Sequence, residues 1–303
     1  MEEIALALGG GGIKGVAHLG VIFRLLKEGY KIKAIAGTSA GGVVGAVIAS
    51  GAKEAEILDA LTVLSGRNFF SRRDQDGPSL LGLSGLVKLL APFLKDKTFA
   101  DLEIPFAATA VDIITKQEFI LNRGLVIDAV VATSSIPGVF PPVKMGKAEL
   151  VDGGILDPVP VAVARWLAPK LPIVAVCLSP VPEQWREIPE ISLPLDTRIP
   201  KPILSRIVNM RISQAIRIFA DSMDVTSRMI TELRLQIEQP DVVIRPDVMK
   251  FGYLDPGDPY ELIQVGITAV ESHLQEIRQS LSWRHKLGRQ FQNPQPPSKL
   301  LED

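Results

Sequence analysis

The chain alternates short unbroken apolar runs with stretches whose apolar positions recur every three or four residues. Glu3–Leu8 is a continuous apolar run followed by glycines, the pattern of a strand buried on both faces. From Ile13 to Glu28 the apolar residues Val16, Leu19, Ile22, Phe23 and Leu26 keep helical spacing, and Gly29 suits the C-terminal cap. Ile32–Ala36 predicts a second strand, Gly37–Gly42 a tight turn and Val43–Ser50 a helix. Strand, helix, strand, turn and helix in that order predict a parallel sheet with right-handed crossovers.

Glu54–Gly66 continues with helical spacing, and Leu80–Leu94 is leucine-rich but broken by Gly82, Gly85 and Pro92. Ile104–Asp112 and Gln117–Leu121 read as strands and Leu125–Ser134 as a helix. Thirteen of the 23 prolines lie between Pro137 and Pro202, so turns and loops dominate there. They enclose a short strand ending at Val151, a helix Val161–Leu167 and a strand Ile173–Leu178. A long helical pattern covers Ile203–Ile237, followed by a strand Asp241–Arg245 and a helix Tyr260–Leu281. With no repeat and no linker between separate cores, residues 1–283 read as one domain, and 284–303 as a polar, mobile tail.

Composition narrows the function. The 303 residues carry 33 basic and 34 acidic side chains, a net charge of -1, which argues against a nucleic-acid partner. A hydrophobic share of 47% with 22% charged residues is that of a folded globular chain. The single cysteine, Cys177, lies in an apolar strand and reads as a buried spectator; alone it excludes an internal disulfide framework or a cysteine-rich zinc site. Acidic residues stand at the start where a signal peptide would be basic, and no window offers ~18 consecutive apolar residues. The chain reads as cytoplasmic, with peripheral membrane contact as a further option. Glycine is the outlier: 12 of the 25 fall within the first 51 residues.

Those glycines mark two of three candidate sites. Gly9–Gly15, between a strand and a helix, can converge several peptide N–H groups at a helix N-terminus, an arrangement suited to a phosphate or an oxyanion. Gly10-x-Gly12-x-x-Gly15 matches the dinucleotide fingerprint, but no acid ends the second strand, and Lys14 is not followed by the Ser or Thr of a P-loop. Gly37-Thr-Ser39-Ala-Gly41 has the strand-to-helix context of a nucleophile elbow, in which a strained turn presents the serine. Val151-Asp152-Gly153-Gly154 places a carboxylate at a strand end on the same sheet edge as Ser39. Asp157, ahead of Pro158, reads as a turn residue.

Three histidines are candidate bases. His18 lies within the first helix, behind the glycine loop, and His285 at the edge of the tail. Ser39, Asp152 and His273 follow the chain order of an α/β-hydrolase triad, yet His273 sits in a helical pattern rather than on a loop. If His273 is an ordinary helix residue, Asp152 acting directly on Ser39 is the remaining base.

Taken together, Gly9–Gly15, Gly37–Gly41 and Asp152–Gly154, with Ala132–Pro142 ahead of the aspartate, resemble the patatin-like phospholipases. The resemblance runs to about Leu178 and loosely through Val242–Asp247 and the final helix. It implies an α/β fold, a three-layer α/β/α sandwich around a mostly parallel sheet. It also implies a serine acyl hydrolase of the lipase, phospholipase A or lysophospholipase type, acting on lipid acyl esters. On this resemblance Ser39 is the nucleophile and Asp152 its base. The amides of Gly10, Gly11, Gly12 and Ala40 form an oxyanion hole, and Gly15, Gly37, Gly41, Gly153 and Gly154 are motif glycines. No metal or cofactor is implied. Gly9 stands where patatin has an acid and Lys14 where it has arginine, neither altering the expected chemistry. A His273 triad, a non-hydrolytic phosphate- or nucleotide-binding module and a catalytically silent scaffold remain the alternatives. Residues 79–94, preceded by Arg72 and Arg73, read either as a lid or interfacial patch or as a core-facing helix. Arg206, Arg211, Arg217, Arg228 and Arg234 read as the solvated face of the long helix.

Overall fold

The first strand sets the frame. In β1 (Glu3–Leu8) every residue from Ile4 onward is buried, and its faces differ in size. Ile4, Leu6 and Leu8 project into one apolar cluster and Ala5 and Ala7 into another. β2 (Lys31–Gly37) repeats the small face with Ala34 and Ala36. It keeps this phase because Lys33 is an extra residue: Ile4 pairs with Ile32, but Ala5 pairs with Ala34. Such a bulge shifts which residues face which side beyond it.

The computed structural model describes residues 2–62, 81–187, 211–252, 258–282, 287–289 and 294–301. Among them nine strands form one mixed sheet. Besides β1 and β2 these are β3 (Phe106–Asp112), β4 (Gln117–Leu121), β5 (Val143–Met145), β6 (Ala148–Asp152), β7 (Ile173–Val176), β8 (Val242–Ile244) and β9 (Lys299–Leu300). The main path is β5-β6-β3-β2-β1-β7-β8. The pairings β2–β1, β1–β7, β7–β8 and β2–β3 are parallel, whereas β6 and β4 run antiparallel to β3. On the large-residue face lie α1 (Val16–Lys27), α2 (Ala40–Ala49), α3 (Glu54–Leu61), α4 (Ser84–Leu94), α5 (Val126–Thr133) and α8 (Pro259–Ser280). The alanine face takes α6 (Val161–Leu167) and, through Leu235, α7 (Arg211–Glu238). This is the three-layer sandwich with a mostly parallel sheet.

One detail of pairing creates the site. Gly37 of β2 pairs with Ala108 of β3, and Asp152 of β6 pairs with Ala110, while β4 occupies the opposite edge of β3 throughout. β2 and β6 therefore share one lane of the sheet and meet end to end. Their final residues lie two positions apart along β3, roughly 7 Å at strand rise.

Three expectations need correction. The helix predicted from Val43 starts at Ala40, so the turn is shorter and Gly41 and Gly42 lie in the helix's first turn. Gly85 and Pro92 do not break the leucine-rich segment: α4 runs through both, burying Leu86, Leu90 and Leu94. This makes residues 84–94 a core-facing helix, while Arg72, Arg73, Ser79 and Leu80 lie outside the described residues. The described part of the supposedly mobile tail is packed: Arg289 is buried, pairs with Asp241 and donates to the Ser280 carbonyl at 2.8 Å. Lys299–Leu300 add to β4 as a parallel strand. Their short length and single apolar residue gave no periodicity to detect.

Candidate active site

Thr38 and Ser39 are the two residues between the end of β2 and the start of α2, and Ser39 adopts φ 54° and ψ −123°. That conformation costs a non-glycine residue about 1–3 kcal/mol and persists only where its surroundings hold it. Here the anchors are identifiable. The Ser39 N–H donates to Thr133 Oγ1 at 2.9 Å. Thr38 N–H donates to the Leu8 carbonyl at 3.0 Å, and Gly41 N–H to the Thr38 carbonyl at 2.9 Å. Thr38 Oγ1 donates to the Asp157 carbonyl at 2.8 Å and lies 2.7 Å from Thr109 Oγ1. Gly37 and Gly41 are fixed by close approach: a Cβ on Gly41 would collide with the Leu8 carbonyl, and one on Gly37 with the Gly41 carbonyl.

Asp152 ends β6 and is buried beside Ser39. Its N–H donates to the Ser135 carbonyl at 2.9 Å, and its Oδ1 accepts from Gly154 N–H at 2.7 Å. Burial pushes its carboxyl up to about 6, opposed by hydrogen bonds from the Ser39 hydroxyl and Gly154 N–H. Gly153 packs against Thr109, where a side chain would strike the threonine hydroxyl and backbone.

The glycine loop closes over the pair. A Cβ on Gly10 would come 3.2 Å from Ser39 Cβ, and one on Gly15 would overlap Ala40. The amide of Gly9 donates to the Val176 carbonyl at 2.9 Å. The amide of Gly10 donates to the Pro158 carbonyl at 3.0 Å. Gly10 therefore leaves the expected oxyanion set, because its one N–H is already used. Gly11, Gly12 and Ala40 stand at or before the first turn of a helix, where amides have no intrahelical acceptor.

His18 holds this loop from behind. Fully buried, it has Nε2 at 2.8 Å from the Gly9 carbonyl, and burial lowers its pKa to about 4. The ring is therefore neutral, with Nε2–H as donor, and Nδ1 has no partner among the described residues. His273 lies elsewhere: Nδ1 is 2.8 Å from the Ala269 carbonyl of its own helix, and the groups acting on Asp152 are Ser39 and Gly154. The triad expectation is thus corrected by helix geometry. His285 lies outside the described residues.

Asp157 is more than a turn residue. Fully buried, it sits 3.0 Å from Arg234 Nη2, which also lies 2.8 Å from Glu238, and Arg234 Nη1 lies 3.8 Å from Glu118. Burial drives the Asp157 carboxyl well up; Arg234 opposes this, and Glu118 and Glu238 reinforce it. Arg228 is buried too, with Nε 2.5 Å from Asp224 Oδ2 and beside Lys14, whose pKa is lowered first by burial and then by Arg228. Arg228 and Arg234 therefore turn inward instead of lining a solvated helix face. Arg206 and the side chains of Arg211 and Arg217 lie outside the described residues. Periodicity identified the helix but could not reveal which arginines meet buried carboxylates. Thr38, Thr109 and Thr133 were likewise missed, although Thr38 lies inside the Gly37–Gly41 motif.

From Ser39 an apolar cavity of about 140 Å3 extends along α2, walled by α3 and α4 and by Ile136 and Phe140. A cavity of this size resembles the ~150 Å3 apolar void that stays dry and accepts benzene. Among the described residues no helix is long and apolar enough to cross a membrane.

Residues 6–165 match the family model described as patatin-like phospholipase, just over half of the chain. The chain belongs to the patatin-like phospholipase family. An uncharacterized NTE family protein of Mycobacterium tuberculosis is 36% identical over 162 residues, which is 53% of this chain and 45% of that protein. The uncharacterized protein YqhO of Bacillus subtilis is 32% identical over 206 residues, 56% of this chain and 69% of its own. The lysophospholipase NTE1 of Pyricularia oryzae is 27% identical across 91% of this chain but only 19% of its own length. The chain thus spans less than half the length of the mycobacterial relative. The crystal structure of VipD from Legionella pneumophila shares the fold, with a TM-score of 0.50, 14% identity, and coverage of 92% of this chain and 67% of that one. The matched stretch of this patatin-like chain contains the glycine loop, the Gly37–Gly41 turn and Asp152.

Proposed function

We propose that the chain is a serine acyl hydrolase for acyl esters of lipids, working through a Ser39–Asp152 dyad. The observation carrying this reading is a strained, anchored serine that lines an apolar cavity and lowers, against the effect of burial, a buried carboxyl standing at about 6. Family membership and the lysophospholipase among the relatives support the lipid ester as substrate. Ser39 Oγ attacks the ester carbonyl while Asp152 takes its proton. The tetrahedral oxyanion is met by the amides of Gly11, Gly12 and Ala40, where losing one donor in related chemistry costs about 3 kcal/mol. Asp152 returns the proton to the leaving alkoxide, and the acyl group stays on Ser39. Water, deprotonated by Asp152, then attacks the acyl-enzyme and releases the fatty acid, with the proton passing back to Ser39. Peripheral contact with a lipid surface follows from such a substrate.

Hydrolysis of a short-chain nitrophenyl ester tests the dyad. Ser39→Ala and Asp152→Asn should each lose at least 1000-fold in kcat, while His273→Ala should retain wild-type activity. Survival of activity in either of the first two variants, or its loss in the third, would overturn the dyad.

A further inference from the structure

The cavity beside Ser39 has a direction. Thr133 and Ser135 contact Ser39 and Asp152 directly, so the loop that follows, to Phe140, lies at the catalytic end. Leu81 N–H donates to the Val139 carbonyl at 2.9 Å, which holds the start of α4 at that end. Beyond the far end of α4, Lys97 Nζ donates to the Ser50 carbonyl at 2.7 Å, at the C-terminal end of α2. α2 and α4 therefore run side by side in the same direction, and the cavity lies between them. Along α2 it is lined by Ala40, Val43 and Val47, a single helical stripe leading away from Ser39. Phe93 of α4 and Ile57 of α3 line it as well, and Ile57 belongs at the Val47 end because only Ser50–Lys53 separate the two helices.

We propose that this trough is an acyl-chain gauge, with its floor at Val47, Ile57 and Phe93, and that it selects one medium-length acyl chain. This rests on Ser39 being the nucleophile, because the acyl carbonyl must start there. From Ser39 to Val47 is eight helical residues, about 12 Å at helix rise. A fully extended hydrocarbon with ~1.5 Å C–C bonds advances about 1.3 Å per carbon, so roughly nine carbons reach the floor. The wall is apolar throughout this length, so each methylene added up to the floor raises kcat/KM about fourfold, and those beyond it collide with the floor and lower it.

The test is a series of nitrophenyl esters from C4 to C16 in a common detergent micelle, with wild type, Val47→Phe and Phe93→Ala. Wild type should peak near C8–C10. Val47→Phe should move the optimum about four carbons shorter. Phe93→Ala, which removes bulk and does not depend on fitting a larger side chain, should move the optimum longer. A wild-type profile that rises through C16, or an unchanged optimum in the folded variants, would remove the gauge but leave the nucleophile assignment intact. No turnover of any ester, C4 included, would remove both.

Discussion

At the residue scale the proposed chemistry depends on a carboxyl whose ionised form the fold disfavours. Asp152 stands near 6 against an ordinary value of 3.8, with burial as the largest cause. A base must be unprotonated, so kcat/KM should rise about tenfold per pH unit up to pH 6 and flatten above it. The same shift has a stability consequence of opposite sense. A raised folded-state pKa favours the protonated fold below 3.8, and this advantage is lost as pH rises through 6. Asp152→Asn should therefore raise Tm at pH 8, by the equivalent of about 2–3 kcal/mol, with the gain shrinking towards pH 4. A Tm difference independent of pH would contradict the assigned cause. His18 offers a second test, since its neutral ring pins the Gly9 carbonyl. His18→Ala should lower kcat on a short ester about tenfold and destabilise the chain by about 2 kcal/mol. His18→Gln, whose amide can donate to the same carbonyl, should recover most of kcat.

Among elements, the sheet's connectivity does what single motifs cannot. The elbow and the aspartate were legible in the sequence because each pairs an apolar run with glycines at a strand end. Their pairing was expected, through the resemblance, but the topology behind it was not legible, since it depends on β6 running antiparallel to β3 in the lane vacated by β2. No local pattern encodes which edge a returning strand takes. The start of α2 was misplaced for a related reason: Gly41 and Gly42 read as turn residues, but the helix begins beneath the Leu8 carbonyl, where no side chain fits. A similar constraint joins α1 to α8: a Cβ on Gly266 would collide with the Ala17 carbonyl, and one on Gly20 with the Ile263 carbonyl. Gly266→Val should cost about 3 kcal/mol or more, read as a fall in urea midpoint with unchanged slope.

Across the whole molecule, Arg234 ties distant parts of the chain to the base of the site. It faces Asp157, Glu118 and Glu238; Glu118 accepts from Ser298 at 2.7 Å, and Glu238 accepts from Ala162 N–H at 2.8 Å. Asp157 in turn receives the Thr38 hydroxyl on its carbonyl, one residue from Ser39. Removing the arginine strands buried carboxylates, which typically costs about 3–5 kcal/mol. Arg234→Ala should accordingly be far less stable than wild type at pH 8, and the deficit should narrow at pH 5 as the carboxyls take up protons. The amino-acid pattern showed a helix with spaced arginines but not the acids they would meet, because those acids come from β4, the Asp157 turn and the same helix. Whether this scaffold makes Ser39 a nucleophile is read out by a fluorophosphonate probe followed by peptide mass spectrometry. One stoichiometric adduct is expected, on Ser39, absent in Ser39→Ala and slowed at least 100-fold in Asp152→Asn. A folded protein that takes up no probe, or carries it on another residue, would contradict Ser39 as the nucleophile.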